Sequence, residues 1–383
     1  MAAVSALLRV LSVTLLLLVI AVAVPTHAWW GKGHMAVAEI ARRNLKPDVQ
    51  KKVEACASVL KTMGPFPSTT TMVEAAPWAD DLKSLGLTTM ATWHFIDQPY
   101  NPDNITMTIN PIENVNVATV IPMLVTAVTD PKATTDSITT SIANLIHYVG
   151  DIHQPLHGSC LFSDKYPKGD AGGNAQSVIV DDKGTKQKLH AFWDSMAEGP
   201  QVDPPRPLSP ATYAELQAFV DDLIANNIFT EAEKMNTNTT VMAMESLDMA
   251  IKYVYPGADN GAVLTQSYKD AAKVICHQRV TLAGYRLATV INNALENVPL
   301  SAILKSEKEI QEEVEVTQTG DTYNYYAISG VERGAAAGIF LSCFAIGCLL
   351  ATAVMYAICF VRRSQPRGKK AEHTVAPAHD VDA

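Results

Sequence analysis

The densest run of reactive side chains in this sequence is His147-Tyr148-Val149-Gly150-Asp151-Ile152-His153-Gln154-Pro155-Leu156-His157. His147 and Asp151 are four residues apart, so on a helix they leave the same face. Pro155 should end that helix, and His157 follows just beyond it. The spacing recurs in Leu189-His190-Ala191-Phe192-Trp193-Asp194, where His190 and Asp194 form a second pair. An imidazole and a carboxylate one turn apart make half a zinc site. Further donors stand at Asp80 after Trp78-Ala79, at His94 and Asp97 in Trp93-His94-Phe95-Ile96-Asp97, and at His34, five residues after Trp29. Any one of these histidines alone reads as an ordinary structural residue. Several His/Asp clusters in one chain read as a metal centre.

The elements that must carry them are mostly helical. Apolar residues at three-to-four spacing predict helices over Gly33–Leu45, Thr139–Ile152, Leu189–Ala197, Ala211–Asn226, Val241–Tyr255 and Gln266–Leu295. Met63–Pro77 and Leu161–Gly173 read as loops, and Val178-Ile179-Val180 before Asp181-Asp182-Lys183-Gly184 as part of a short hairpin. No internal repeat or low-complexity linker interrupts residues 29–300. The expected fold class is therefore mainly α, a single multi-helix domain over residues 29–305.

Both ends of the chain add segments of another kind. Residues 1–28 read as a signal peptide, with Arg9, an apolar run from Val10 to Val24 and small residues at Thr26-His27-Ala28, which makes Trp29 the expected first residue of the mature chain. Gly334–Val361 carries no charged residue and is long enough to cross about 30 Å of hydrocarbon. Arg362, Arg363, Arg367, Lys369 and Lys370 follow it and belong on the cytoplasmic side. The expectation is a polar stalk over 306–333, one transmembrane helix over 334–361 and a cytoplasmic tail over 362–383. The catalytic domain would then face the lumen or the outside, at the cell surface, as a single-pass type I protein. In that compartment Asn104-Ile105-Thr106 and Asn238-Thr239-Thr240 are glycosylation acceptors.

Of six cysteines, three lie in the expected span, leaving Cys56, Cys160 and Cys276, which allow at most one internal disulfide. Formal net charge is −9 among 383 residues, so no broad basic face invites a nucleic-acid duplex. Anything anionic must be drawn in locally, and bound cations would do that.

Taken in order, the fragments Trp-x4-His, Trp-Ala-Asp, His-Phe-Ile-Asp, His-x3-Asp-x5-His, Gly-Gly-Asn and His-x3-Asp resemble the zinc-dependent single-strand nucleases of fungi and plants. They are most similar to the trypanosomatid membrane-bound 3′-nucleotidase/nucleases. The resemblance runs from Trp29 through Asp194 and extends over the helical region to about Leu300. It implies a helical domain of the trinuclear zinc nuclease and phospholipase C type. One zinc would be held by Asp80, His94, His147 and Asp151, a second by His157, His190 and Asp194. The third would take His34, a share of Asp151, and the α-amine and carbonyl oxygen of Trp29.

Asp151 would thus bridge two metals, which together acidify a water toward pKa ~7. No side-chain nucleophile is then needed. The resemblance also implies base binding by Phe95 and Asp97, and a loop at Gly172-Gly173-Asn174 close to the ligand. At the position three residues after Asp80 many members carry an arginine, and this chain carries Lys83, which keeps the charge and loses the planar fork. His153 has no ligand role in the pattern and reads as a supporting or surface residue, and His277 as structural.

The activity implied is release of phosphate from ribonucleoside 3′-monophosphates and cleavage of single-stranded RNA or DNA, serving purine scavenging, with no obligate protein partner. Two other readings use the same residues: a phospholipase C-like enzyme, which has no use for Phe95 with Asp97, and an inactive surface receptor, which has no use for a complete metal shell.

Overall fold

The structure, a computed structural model, describes residues 29–63, 69–196 and 203–304. The expected signal peptide, stalk, transmembrane helix and tail lie outside the described residues. Among the described residues, no helix is long and apolar enough to cross a membrane.

The centre of the fold is a helix that begins four residues earlier than its apolar period suggests. Thr134 caps it by accepting from the Ser137 amide at 3.2 Å, so α6 runs Thr135–Asp151. Every residue from Ile142 to Asp151 is buried, the polar Asn144, His147 and Asp151 included. A helix buried on all sides needs partners on all sides. Those partners include α1 (Gly31–Arg43), α2 (Pro47–Leu60), α3 (Met72–Ala75), α4 (Trp78–Ser84), α5 (Val117–Thr129) and the long α11 (Gln266–Leu295).

Several of these were not among the predicted helices. Pro47 stands at the first position of α2, where its missing N–H costs nothing. In α5 a near-continuous apolar run with Pro122 inside hides the helical period, while Asn116 and Thr119 form a reciprocal cap that starts it. The stretch Met63–Pro77, expected as loop, contains the single turn α3, nucleated by Thr71 accepting from the Glu74 amide.

The predicted helix Gln266–Leu295 is met at both ends, and the remaining predictions are met with shifted ends. The short α7 (Leu189–Asp194) stops before Ala197 because Met196 takes φ of 55°, a left-handed conformation that ends a helix. Pro210–Asn226 forms α8, and α9 (Glu231–Lys234) is a capped single turn. Then α10 (Thr239–Met249) widens into a π turn over Ala250–Val254. β3 (Ser177–Ile179) and β4 (Lys186–Lys188) make the expected small hairpin, with Val178 opposite Gln187. An unexpected parallel pair, β1 (Pro99–Tyr100) with β2 (Cys160–Leu161), ties the segment after His94 to the segment after His157. Cys56, Cys160 and Cys276 are buried free thiols, so the one permitted disulfide is not formed among the described residues.

The crossing of α1 and α11 sets where His34 sits. A Cβ added to Gly284 would lie 2.5 Å from the Ile40 Cβ, closer than real atoms approach, so only glycine lets the helices cross this tightly. Gly284→Val should therefore destabilise the fold by about 1–3 kcal/mol. A lowered midpoint of thermal unfolding checks this, and an unchanged midpoint would show that the crossing is loose.

Candidate metal centre

Each predicted ligand is delivered by a helix end. His147 and Asp151 lie one turn apart at the C-terminal end of α6. Gln154, held extended before Pro155, redirects the chain into a 3-10 turn, Pro155–His157, that presents His157. His190 and Asp194 span α7, Asp80 and Lys83 lie on α4, and His34 lies on α1. His94 closes a 3-10 segment that begins at Thr88, after which Phe95 turns extended. All eight side-chain ligands proposed from sequence are buried.

They meet in two neighbouring groups. Asp151 divides its oxygens: Oδ2 lies 2.9 Å from His94 Nδ1 and 3.4 Å from His147 Nε2, while Oδ1 lies 3.3 Å from His34 Nε2. Asp80 reaches the same space, with Oδ2 3.6 Å from His147 Nε2 and Oδ1 3.7 Å from His94 Nδ1. The His34 and His147 rings stack at 3.8 Å. In the second group His157 Nε2 and His190 Nε2 stand 3.1 Å apart, and His190 Nε2 is 3.4 Å from Asp194 Oδ2. Within each of the sets His34/Asp80/His147, His94/His147/Asp151 and His157/His190/Asp194, the donor atoms lie within 4.8 Å of one another.

The tautomers say what these groups are for. Nδ1–H of His147 donates to the Ala76 carbonyl at 2.7 Å, that of His157 to His94 at 2.6 Å, and that of His190 to Gly172 at 2.6 Å. A carbonyl can only accept, so each Nε2 is left as a bare lone pair aimed into the site. For His157 and His190 those two lone pairs face each other at 3.1 Å.

Protonation would relieve the repulsion, but burial drives the His157 imidazole down to about 4 and that of His190 to about 3. His94 and His147 are likewise lowered, first by burial. Among the buried polar atoms left without a hydrogen-bond partner are His34 Nε2, His147 Nε2 and Asp151 Oδ1. Converging lone pairs and carboxylates in a buried interior fit a cation held between them, and imidazole with carboxylate donors suits zinc. Burial raises the Asp194 carboxyl well above its usual range against a hydrogen bond from Gln154. Burial acts the same way on Asp151, but the surrounding His147, His34 and His94 outweigh it and hold its carboxyl below the usual range.

The other predicted residues line up around this centre. The half-buried Lys83 places its ammonium 3.1 Å from Asp80 Oδ1. Trp29 is fully buried, its indole N–H donating to the Gly150 carbonyl at 2.9 Å. Phe95 and Asp97 are partly exposed on a segment pinned by the Ile96 amide to the His157 carbonyl at 2.8 Å. Burial, with Asp170 and Glu113 nearby, pushes the Asp97 carboxyl up to about 7. Gly172 and Gly173 take φ of 59° and 80°, and this bend aims the Gly172 carbonyl at His190. Asn174 Nδ2 donates to the Ala171 carbonyl of the same loop.

Asn104 and Asn238 are exposed, and Asn238 also caps α10. His277 is half-buried, its ring edge-on to Phe219. His153 is no surface residue: it is fully buried, with Nδ1–H donated to the Val149 carbonyl.

Two positioning residues carried no role in the sequence reading. Gln154 clamps Asp194 through a 2.7 Å hydrogen bond, and Gly150 leaves space for His34, whose Nδ1 would come within 2.9 Å of an added Cβ. The first sat in plain view between two ligands; the second needs the packing of α1 on α6.

Compared with known proteins, residues 29–296 match the S1/P1 Nuclease family. The chain belongs to that family. It is 27% identical over 275 residues to Endonuclease 3 of Arabidopsis thaliana, covering 69% of this chain and 88% of the relative. To Nuclease S1 of Aspergillus oryzae it is 25% identical, covering 70% and 92%. To Nuclease P1 of Penicillium citrinum it is 24% identical, covering 69% and 97%. The chain is thus an enzyme, a hydrolytic phosphoesterase of the S1/P1 type with His/Asp groups fit to bind metal.

Stripping metal from the S1/P1 centre should lower the thermal midpoint, since the cation stabilises only the folded state. The stripped protein should also lose stability as pH falls. A histidine whose folded pKa is depressed binds more protons unfolded, so its contribution is present above about 6.5 and lost toward 4. Unfolding midpoints with and without chelator across that window check both; a chelator-insensitive midpoint would argue against a buried cation site.

Proposed function

We propose that this S1/P1 family member releases phosphate from ribonucleoside 3′-monophosphates and cleaves single-stranded RNA and DNA. In this reading it holds about three zinc ions. The observation that carries the reading is the division of Asp151 between His94 and His147 on one oxygen and His34 on the other, beside the separate group of His157, His190 and Asp194. Asp80, His94, His147 and Asp151 would hold one ion, His157, His190 and Asp194 another, and Trp29, His34 and Asp151 the last. When bound, such ions supply an acidified water and neutralise charge on the phosphate.

The chain's own residues supply the rest. Lys83 orients a phosphoryl oxygen as a point charge. Phe95 offers a face for a base, worth about 1–3 kcal/mol and open only to an unpaired base. Asp97 accepts hydrogen bonds from the base edge, and the loop Gly172-Gly173-Asn174 brings backbone close to the ligand. Buried walls exclude bulk water from the reacting phosphate. We further propose that the domain is displayed at the cell surface on the expected transmembrane helix, glycosylated at Asn104 and Asn238, where it frees nucleosides for uptake.

Phosphate release from 3′- and 5′-nucleotides measured side by side, with and without chelator, tests this. Release from the 3′-nucleotide should dominate and vanish on chelation, returning with zinc. Preference for the 5′-ester, or activity that survives chelation, would overturn the reading.

A further inference from the structure

The turn between Asp151 and His157 decides how far apart the two ligand groups stand, because Asp151 belongs to one and His157 to the other. It is also the C-terminal end of a buried helix, where carbonyls lose their intrahelical partners and the helix dipole is negative. Each carbonyl along it has a donor. Val149 accepts from His153 Nδ1, Gly150 from the Trp29 indole, and Asp151 from the Gln154 amide. Ile152 accepts from Ser246 Oγ at 2.6 Å and His153 from Arg279 Nε at 3.1 Å.

The last two donors belong to a charged cluster behind the turn. Arg279 also donates to Ser246 Oγ at 3.1 Å and to Glu245 Oε2 at 2.9 Å. Arg286 forks onto Glu245, at 2.6 and 2.8 Å, and lies 3.1 Å from His153 Nε2. Since His153 Nδ1 carries the proton given to Val149, its Nε2 accepts from Arg286. Arg279 is 5% exposed and Arg286 1%, a costly burial that two guanidiniums sharing one carboxylate do not need merely to fill space.

We infer that Arg279, Arg286 and Glu245, acting through Ser246 and His153, are positioning residues that fix the spacing between the two metal-ligand groups. The inference rests on the metal reading above and adds a role for residues remote from substrate. The fork of Arg286 holds Glu245, Glu245 aims Arg279, and Arg279 fixes the His153 carbonyl directly and the Ile152 carbonyl through Ser246. Loosening any link lets the 152–157 turn shift, and Asp151 and His157 then move relative to each other while each stays on its own element. Gln154, inside the turn, carries the same shift to Asp194.

The test uses the full chain with Arg286→Lys, Arg279→Gln and Ser246→Ala, the last removing only a hydroxyl and so the mildest of the three for folding. Zinc affinity is read by competition with a chromophoric chelator, the visible spectrum after cobalt substitution reports ligand geometry, and kcat and KM are measured separately. Zinc affinity and kcat should each fall about tenfold or more, with KM little changed and the cobalt spectrum altered. Arg279→Lys, which can still donate to His153, should recover part of the loss seen in Arg279→Gln. Variants that fold and keep the parent's zinc affinity, cobalt spectrum and kcat, with only a lower unfolding midpoint, would overturn the positioning role. A parent protein that takes up no zinc would instead overturn the metal reading beneath it.

Discussion

One carboxylate at the buried end of α6 organises the molecule. Asp151 can serve two sides of a site only if the helix that carries it is fixed in rotation and depth, and its neighbours are all buried. That requirement explains why α6 is buried on every face over its last turns and why six other helices pack against it. It explains Gly150, which admits His34, and Gly284, which admits α1 against α11. The stability of the scaffold and the geometry of the site are the same packing problem.

The interior this produces is electrostatically unfavourable by itself. Imidazole lone pairs face one another, and carboxylates sit where burial favours their neutral form. Backbone carbonyls of Ala76, His94 and Gly172 fix the tautomers that aim those lone pairs inward, so the fold commits the histidines before any ligand arrives. A cation turns each of these unfavourable terms around. Metal loading and the rigidity of the centre are thus coupled, and the chemistry of an S1/P1 phosphoesterase follows from where the fold leaves lone pairs unpaired.

Much of this was legible in the sequence, for identifiable reasons. The i, i+4 spacing of His147 with Asp151 and of His190 with Asp194 is a local property of a helix, and the structure keeps it. The long period of Gln266–Leu295 was read with its ends in place. By contrast α5 was hidden by its uniform apolarity and Pro122, and α3 by its brevity. The supporting residues were hidden for a different reason. Arg279 and Arg286 lie 126 and 133 residues along the chain from His153, which they hold, and contacts across such separations leave no local pattern. His153 shows the same limit: the family resemblance gave it no ligand role, and its contacts with Arg279 and Arg286 come from the distant α11.

We propose that Trp29, the expected first residue of the mature chain, completes a metal centre built around Asp151. An α-amine with a pKa of about 7.7–8.0 yields its lone pair to zinc readily, whereas an amide nitrogen does not. The most direct measurement is zinc content together with phosphate release for protein beginning at Trp29 and for protein carrying one extra residue before it. The account predicts about three zinc ions and full activity in the first form, with zinc and activity both sharply reduced in the second although it folds. Equal zinc and equal activity in the two forms would contradict it.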